Sequence, residues 1–432
     1  MSRRNEITQR LGELLTARGA DRYSCEVSEE ETHEFNVENG SFSLFRTVFS
    51  TDVSLRVFLG RKMGKANGND VSEDGLAALA DSAVATAASA EEDPAWDLAP
   101  DQGRDTVSRG PMIPDMDRLF IRTTELLDDI ARDYPQIMVT RCMTKYTRSH
   151  SLYTNTNGTM LDESSGLYDI MVEFAGRDGE ITTSLNYVYF LTDCLDIPFI
   201  GQADLRQNLE NTRDSLRAEN LTGKFEGTAI LMPECLDAFL WSLISIYMSD
   251  QVIMDGTSPW LDRVGYQVAH EALTLTLTPG DPRILAGESH TASGFRSEDC
   301  TLIEKGVLKA HMLSLYAANR TGRPVMKNTG FSLAVAPGRK SLDEMIRGVK
   351  KGILVGYFSG GEPASNGEFS GIAKNSFLIE DGRLAGALSE TMINGNLEQI
   401  FRHIAGISRE VRVNGQTLLP WVAVDGVIIS GK

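Results

Sequence analysis

The sequence of 432 residues carries a formal net charge of −18, with 41% hydrophobic and 24% charged residues. Its length predicts two or three domains, and its composition excludes a disordered, collagen-like or disulfide-stapled chain. The negative charge repels phosphate groups and therefore disfavours direct binding of nucleic acids.

The first 90 residues predict a helix, a strand-rich region and a second helix. Apolar residues recur at helical spacing over 7–15 and alternate at strand spacing over 53–59. Asn39-Gly40 favours a tight hairpin ahead of that strand, because both residues accept positive φ angles. An Ala-rich segment over 73–90 predicts the second helix.

A change in composition follows. Residues 91–114 contain four prolines, many acidic residues and no hydrophobic periodicity, which predicts a surface loop or linker. A helix is expected over 119–130, ending before Pro135. Hairpin signals return at 157–158 and 178–179.

The second half predicts more hairpins among isolated helices. A short strand is expected near 228–232 and a helix over 233–250. Residues 303–308 and 379–384 resemble each other, and both predict two-residue hairpin turns. A final strand is expected over 421–429.

These elements favour an α+β fold of antiparallel sheets, hairpins and packed helices, because no regular strand–helix alternation occurs. We expect a domain boundary near residue 220. It separates an N-terminal α+β domain, 1–220, with its linker near 91–114, from a β-rich C-terminal domain, 221–432.

The pattern of cysteines and apolar segments predicts a cytoplasmic protein. The five cysteines are scattered and never form a CxxC pair, which indicates reduced thiols and not a disulfide framework or Cys-rich zinc site. The N-terminus lacks the apolar region of a secretion signal. The longest charge-free apolar segment, 238–249, has 12 residues, fewer than the ~20 that a membrane-spanning helix needs.

His270 and Glu271 form the strongest candidate for catalytic chemistry. Apolar residues over 261–268 have helical spacing, which predicts that this pair lies near a helix end. Many zinc peptidases begin their metal site with such a pair, the histidine binding zinc and the glutamate acting as general base. They need a second histidine one turn later, but Thr274 and Leu275 occupy those positions.

Other possible ligands are His290, His311, Glu288, Asp299 and Cys300. No local spacing forces any three of them to converge on a zinc ion. The simpler interpretation of His270 is a helix-end histidine that hydrogen-bonds to the backbone.

Residues 352–371 are rich in glycine but lack the Gly-Lys-Ser/Thr ending of a phosphate-binding loop. They predict either a strand followed by a flexible loop, or a loop whose bare backbone approaches an extended peptide.

An ordered set of segments in the second half resembles the TldD/PmbA family, which includes proteins called modulators of DNA gyrase and peptide maturation proteins. The segments are the His270 region, 304–308, 367–371, 377–382 and 389–397. The first half agrees more loosely, through the hairpin over 37–40 and the order of strands and Ala-rich helix. The resemblance implies a two-domain α+β fold.

The family has two kinds of subunit. The TldD-like kind is similar to a zinc peptidase, with an HExxxH pair and a downstream cysteine as metal ligands. In this sequence the second histidine falls on Leu275, and no cysteine follows Cys300. The chain therefore resembles the PmbA/TldE kind, with no metal ligands or catalytic residues of its own and with His270 and Glu271 as vestigial candidates.

The resemblance implies a catalytically inactive subunit of a TldD–TldE heterodimer, a metalloprotease that degrades or matures unfolded or leader-bearing peptides. Zinc is expected in the TldD-like partner, and the isolated chain is a possible homodimer. The candidate peptide contacts are Gly360, Gly361, Glu368, Phe369, Ser370 and Gly371. Two alternatives remain open: an autonomous homodimeric metallohydrolase using His270 and Glu271, and a non-enzymatic regulatory binding protein of the gyrase-modulator type.

Overall fold

The structure is a computed structural model that describes residues 2–389 and 391–431. Glu390, in the 389–397 segment, lies outside this part of the chain. Within the described residues, two mainly antiparallel sheets pack against helices, which confirms the α+β fold class. No helix in this part is long and apolar enough to cross a membrane.

The first sheet has eight strands among the described residues, with the central order β3-β2-β1-β5-β6-β4. They are β1 (Arg22–Glu38), β2 (Ser41–Leu59), β3 (Lys62–Gly68), β4 (Arg104–Arg109), β5 (Ile137–Asn155), β6 (Met160–Asp178), β7 (Ile181–Thr182) and β8 (Asn186–Thr192). β1, β2, β5 and β6 have 17 to 19 residues each. Each of these four strands therefore extends for about 55–65 Å.

The second sheet has twelve strands among the described residues, with the main order β13-β12-β11-β14-β20-β10-β15-β16-β17-β9. The first six strands are β9 (Glu219–Asn220), β10 (Lys224–Leu231), β11 (Leu275–Leu277), β12 (Cys300–Glu304), β13 (Val307–Leu308) and β14 (Leu333–Val335). The others are β15 (Lys351–Gly360), β16 (Glu368–Glu380), β17 (Arg383–Ser389), β18 (Thr391–Asn396), β19 (Ile404–Val413) and β20 (Leu418–Ser430).

Helices cover parts of both sheets. They are α1 (Arg3–Ala17), α2 (Glu73–Ser89), α3 (Met116–Asp133), α4 (Leu205–Asp214), α5 (Pro233–Tyr247), α6 (Asp250–Met254), α7 (Leu315–Thr321), α8 (Leu342–Arg347) and α9 (Leu397–Arg402). Short 3-10 turns occur at Phe199–Gly201 and Ser215–Arg217. α5 is apolar on most of its surface and forms the centre of the largest core, packed against the second sheet.

The predicted hairpin turns are confirmed where the local sequence favours positive φ. Asn39 and Gly40 have φ angles of 49° and 76° between β1 and β2. Lys305-Gly306 and Asp381-Gly382 have nearly the same geometry, and they connect β12 to β13 and β16 to β17. These angles are those of type I′ turns, whose twist matches that of the paired strands.

Two predicted segments differ from the structure. The expected loop 91–114 contains β4, which pairs in parallel with β6 and thus belongs to the first sheet. The helix expected over 233–250 ends at Tyr247, and the shorter α6 follows it. The boundary near residue 220 stays a prediction. The strands of the first sheet end at Thr192 and those of the second begin at Glu219.

Candidate functional site

His270 and Glu271 lie in an irregular segment, so the prediction of a nearby helix end is wrong. Residues 255–274 form turns and one isolated bridge, between Gln267 and Val307, without a helix. The backbone N–H of Val268 donates to the carbonyl oxygen of Gly306, at 2.8 Å. In a helix this N–H group would bond to a carbonyl oxygen one turn earlier in the same helix. Here it bonds to the β12–β13 hairpin.

The His270 side chain is satisfied locally. Its Nδ1 atom accepts a hydrogen bond from the backbone N–H of Ala272, at 3.1 Å. Its backbone N–H donates to the carbonyl oxygen of Phe401, at 2.9 Å. The His270 side chain is half-buried and Glu271 is exposed. The pair thus occupies a turn at the surface, and its histidine bonds to the backbone.

Leu275 occupies the place of the second histidine in the zinc-peptidase motif. It begins β11, pairs with Ile303 on one side and Val335 on the other, and is fully buried. An apolar core residue cannot bind a metal, so the donor set at this position does not fit a catalytic zinc ion. No group of three or more His, Cys, Asp or Glu side chains in the described residues could hold a metal ion.

Three of the other possible ligands already have polar partners. His290 Nε2 lies 3.5 Å from a carboxylate oxygen of Glu26 in the first sheet. His311 Nε2 lies 3.0 Å from the carbonyl oxygen of Trp260, and burial lowers the pKa of this imidazole. Glu288 accepts hydrogen bonds from neighbouring hydroxyl groups. These contacts fit structural roles better than shared metal binding.

The glycine-rich segment is a strand followed by a loop, as the simpler interpretation predicts. β15 ends at Gly360, β16 begins at Glu368, and Gly360 faces Gly371 across the two strands. A Cβ atom built on either glycine would lie 2.8 Å from the other residue's Cα atom. The two glycines therefore allow the strands to approach closely at this point.

The side chains around this loop divide into core and surface. Phe369 is buried, with its ring 4.9 Å from that of Phe239 and 5.7 Å from that of Phe358. Glu368 and Ser370 are exposed. A peptide can therefore reach these two polar side chains, whereas the ring of Phe369 is already packed. The peptide contacts remain a prediction.

A cavity between the two sheets is a further candidate site, and it was not predicted from the sequence. We call it the Arg412 cavity; its volume is about 300 Å³. It is lined by Tyr187, Val188, Tyr189, Glu234, Asp237, Ala238, Tyr357, Phe358, Arg412, Asn414 and Gln416. The lining comes from β8, α5, β15, β19 and the turn before β20, so distant parts of the chain meet there.

A buried ion pair defines the electrostatics of the Arg412 cavity. The Arg412 guanidinium donates to Glu234, and its side chain is only 8% exposed. Burial raises the pKa of Asp237 to about 6, although the charge of Arg412 acts in the opposite direction. Burial also raises the pKa of Asp204, and the charge of Arg412 again acts in the opposite direction. One cation therefore balances several carboxylates.

We expect Asp237→Asn to stabilise the protein at pH 8 and to have little effect near pH 4. An ordinary aspartate has a pKa near 3.9, so the native state binds more protons than the unfolded state between about pH 4 and 6. Stability is therefore lost as the pH rises through this window. Asparagine cannot ionise, so the variant avoids the cost of a buried charged carboxylate. Its free energy of unfolding at pH 8 should therefore be higher by about 1–2 kcal/mol.

Thermal unfolding from pH 4 to 8 measures this effect. Asp128→Asn, at an exposed position of α3, is the matched control and should lack the trend. An equal difference between wild type and Asp237→Asn at all pH values would contradict the expectation.

An exposed apolar strand lies at the margin of the first sheet. We call residues 41–52 the β2 edge. β1 pairs along this stretch, but β3 pairs with β2 only from Val53 onward. Within the described residues, the β2 edge thus has a strand on one side only.

The β2 edge carries large apolar side chains on both faces. Phe45 is 56% exposed and Phe49 is 73% exposed, and their spacing places them on one face. Leu44 and Val48 are exposed on the other face. The ring of Phe45 lies 6.3 Å from that of Phe120 on α3. Open edges with such side chains are typical association surfaces.

The same fold occurs in solved structures. The chain superposes on the crystal structure of TldE from Thermococcus kodakarensis with a TM-score of 0.83 and 20% sequence identity, covering 98% of this chain and 100% of that one.

Family models agree with this similarity. Residues 25–87 match the PmbA/TldA metallopeptidase domain 1, and residues 222–431 match the PmbA/TldA metallopeptidase C-terminal domain. The chain belongs to the TldD/PmbA family.

Curated relatives bear metalloprotease names. The chain is 28% identical to Metalloprotease PmbA of Escherichia coli over 177 residues, which are 38% of each protein. It thus spans less than half the length of that relative. It is 22% identical to a Metalloprotease PmbA homolog of Haemophilus influenzae, over 97% of this chain and 94% of the relative.

Proposed function

We propose that this chain is a PmbA/TldE-like, non-catalytic subunit of a heterodimeric metalloprotease. Its partner is a TldD-like paralogue that carries zinc, and the complex cleaves unfolded or leader-bearing peptides in the cytoplasm. The observation that supports this most strongly is Leu275, a buried strand residue where a zinc peptidase needs its second histidine. No cysteine follows Cys300 to replace the downstream ligand.

The β2 edge is the surface that we assign to the paralogue. Its backbone can pair with a strand of the partner, and its apolar side chains can be buried on both faces. Burial of aromatic side chains supplies much of the binding energy in protein interfaces. In this proposal the partner supplies the metal chemistry, and this chain supplies stability and part of the peptide path.

The candidate peptide contacts fit this role as backbone and surface contacts. A Cβ atom built on Gly361 would meet no atom within 4 Å beyond its chain neighbours, and Glu368 and Ser370 are exposed. Hydrogen bonds to backbone groups hold an extended peptide without reading its sequence.

Co-expression with a TldD-like paralogue from the same genome tests the proposal. We expect the two chains to copurify and their complex to cleave unfolded peptides, whereas neither chain cleaves them alone. The control is a TldD-like chain whose second motif histidine is replaced by alanine, which should still pair but not cleave. Full activity of the paralogue alone, or separation of the two chains during purification, would contradict the proposal.

A further inference from the structure

A cavity beside the β2–β3 hairpin is lined by two basic side chains. We call it the Arg56 cavity; its volume is about 490 Å³. Arg56 of β2 and Lys65 of β3 both line it, and they are directly opposite each other in the register of the two strands. Side chains at such positions share one face of the sheet, with their Cβ atoms about 4.5–5.5 Å apart. Like charges placed in this way repel each other and are destabilising. An anion between them would relieve the repulsion.

Neither basic group is neutralised by a carboxylate of the chain. Within the part of the chain that the structure describes, Arg56 and Lys65 form no ion pair and no side-chain hydrogen bond. The charge of Glu26 acts on Arg56, but this carboxylate already has His290 as its partner. Burial lowers the pKa of Arg56, and burial together with the charge of Arg56 lowers the pKa of Lys65. Two partly desolvated cations therefore lie side by side.

The acidic residues of the lining, Asp97 and Asp250, are already bonded elsewhere. Asp97 forms an ion pair with Arg22. Asp250 accepts hydrogen bonds from the backbone N–H of Ser314, at 2.8 Å, and from its hydroxyl group, at 2.6 Å. With Arg22 counted, three cations and two carboxylates leave a net charge of plus one. One negative charge restores neutrality, which a carboxylate supplies and a doubly charged phosphate exceeds.

Aromatic surface lies beside the two cations. The rings of Trp96 and Tyr316 stack with their centroids 3.9 Å apart, and both residues line the cavity. The Nζ atom of Lys65 lies 5.7 Å from the centroid of the Trp96 ring, which places this ammonium group at the cavity wall. Lys65 is exposed, and Arg56, Trp96 and Tyr316 are half-buried. A ligand in the cavity can therefore reach the charged groups and the rings together.

We propose that the Arg56 cavity binds the carboxylate of a small ligand that also carries an aromatic or branched apolar group. The carboxyl-terminal residue of a peptide and a free aromatic acid both have this chemistry. The carboxylate accepts hydrogen bonds from the Arg56 guanidinium and the Lys65 ammonium, and the apolar group packs on Trp96 and Tyr316. A guanidinium group matches the geometry of a carboxylate. The volume of about 490 Å³ lies within the range of ligand pockets. This inference does not rest on the proposed function, because all four residues belong to this chain.

Calorimetric titration of the isolated full chain with N-acetylphenylalanine at pH 7 tests the inference. N-Acetylphenylalaninamide, which keeps the ring but has no carboxylate, is the matched ligand control. We expect the acid to bind, and the amide to bind at least about tenfold more weakly, as for the loss of a charge-assisted hydrogen bond. Hydrocinnamate, a free acid with the same ring but no amide, distinguishes the two sources. Weaker binding of hydrocinnamate than of N-acetylphenylalanine assigns the site to a peptide terminus, and equal or tighter binding assigns it to a free acid.

Lys65→Met and Arg56→Gln should each weaken binding of N-acetylphenylalanine by at least about tenfold. Lys374→Met is the control variant, because Lys374 is an exposed strand lysine of β16, and it should bind as wild type does. Thermal unfolding confirms that each variant is folded before the titration.

The inference is overturned by no binding up to about 10 mM ligand, by equal binding of the amide, or by unchanged binding in either Lys65→Met or Arg56→Gln. Equal losses of affinity in Lys65→Met and Lys374→Met would overturn it too. Because no paralogue is present, a failure here leaves the heterodimer proposal standing.

Discussion

Replacing Phe45 and Phe49 together with serine is expected to abolish copurification with the TldD-like paralogue. Both side chains are mostly exposed in the isolated chain, so the change removes little of its own core. Buried aromatic anchors commonly contribute 2 kcal/mol or more each to an interface, so the Kd should rise at least about 100-fold. The Tm of the isolated chain should change by no more than about 3 °C.

Phe331→Ser is the control for this variant, because Phe331 is 71% exposed but lies in the other half of the chain. It should leave pairing intact. Affinity is measured by titrating a labelled paralogue with each variant. If the double variant binds as tightly as wild type, the β2 edge is not the interface.

Replacing Arg412 with methionine is expected to destabilise the protein by about 3–5 kcal/mol. The change leaves the buried carboxylate of Glu234 without its cation. It also removes the positive charge that opposes the raised pKa of Asp237. Removing one partner of a buried ion pair costs more than the pair itself contributes, because the remaining charge stays desolvated.

Urea unfolding at pH 7.5 measures this loss. Arg409→Met is the matched control, since Arg409 lies on the same strand but its side chain is 66% exposed. It should cost no more than about 0.5 kcal/mol. The double change Glu234→Gln with Arg412→Met should recover part of the stability. Equal losses of stability in Arg412→Met and Arg409→Met would show that the buried ion pair contributes no more to stability than the exposed arginine does.

The hairpins could be predicted because their signals are local. Asn39-Gly40 and Asp381-Gly382 both adopt positive φ angles, and residue types that tolerate such angles are few. The α+β class follows from many such turns among amphipathic helices. β4 was missed because its edge position leaves its residues partly exposed, without the apolar alternation of a half-buried strand.

The segment around His270 shows where hydrophobic periodicity fails to predict secondary structure. Leu261, Val264 and Val268 have helical spacing, but Gly265 adopts a φ of 89° and donates its N–H to Leu308. Contacts with a hairpin about forty residues away thus decide the local structure, and no window of sequence contains them. The identity of Leu275, in contrast, excluded the zinc motif directly.

The Arg412 cavity could not be predicted, because its ion pair joins residues 178 positions apart. Asp237 lies within an apolar helix, and that position alone could have marked it as unusual, since carboxylates are seldom buried without a partner. The arginine that faces it lies on a strand near the end of the chain. Only the packing of the two elements brings them together.

The zinc content of the purified chain, measured together with peptide hydrolysis, tests the central claim most directly. After equilibration with zinc and gel filtration, we expect far less than one zinc per chain, the same value for His270→Ala, and no hydrolysis. One tightly bound zinc that is lost in His270→Ala, with hydrolysis that a chelator stops, would contradict the assignment as a non-catalytic subunit.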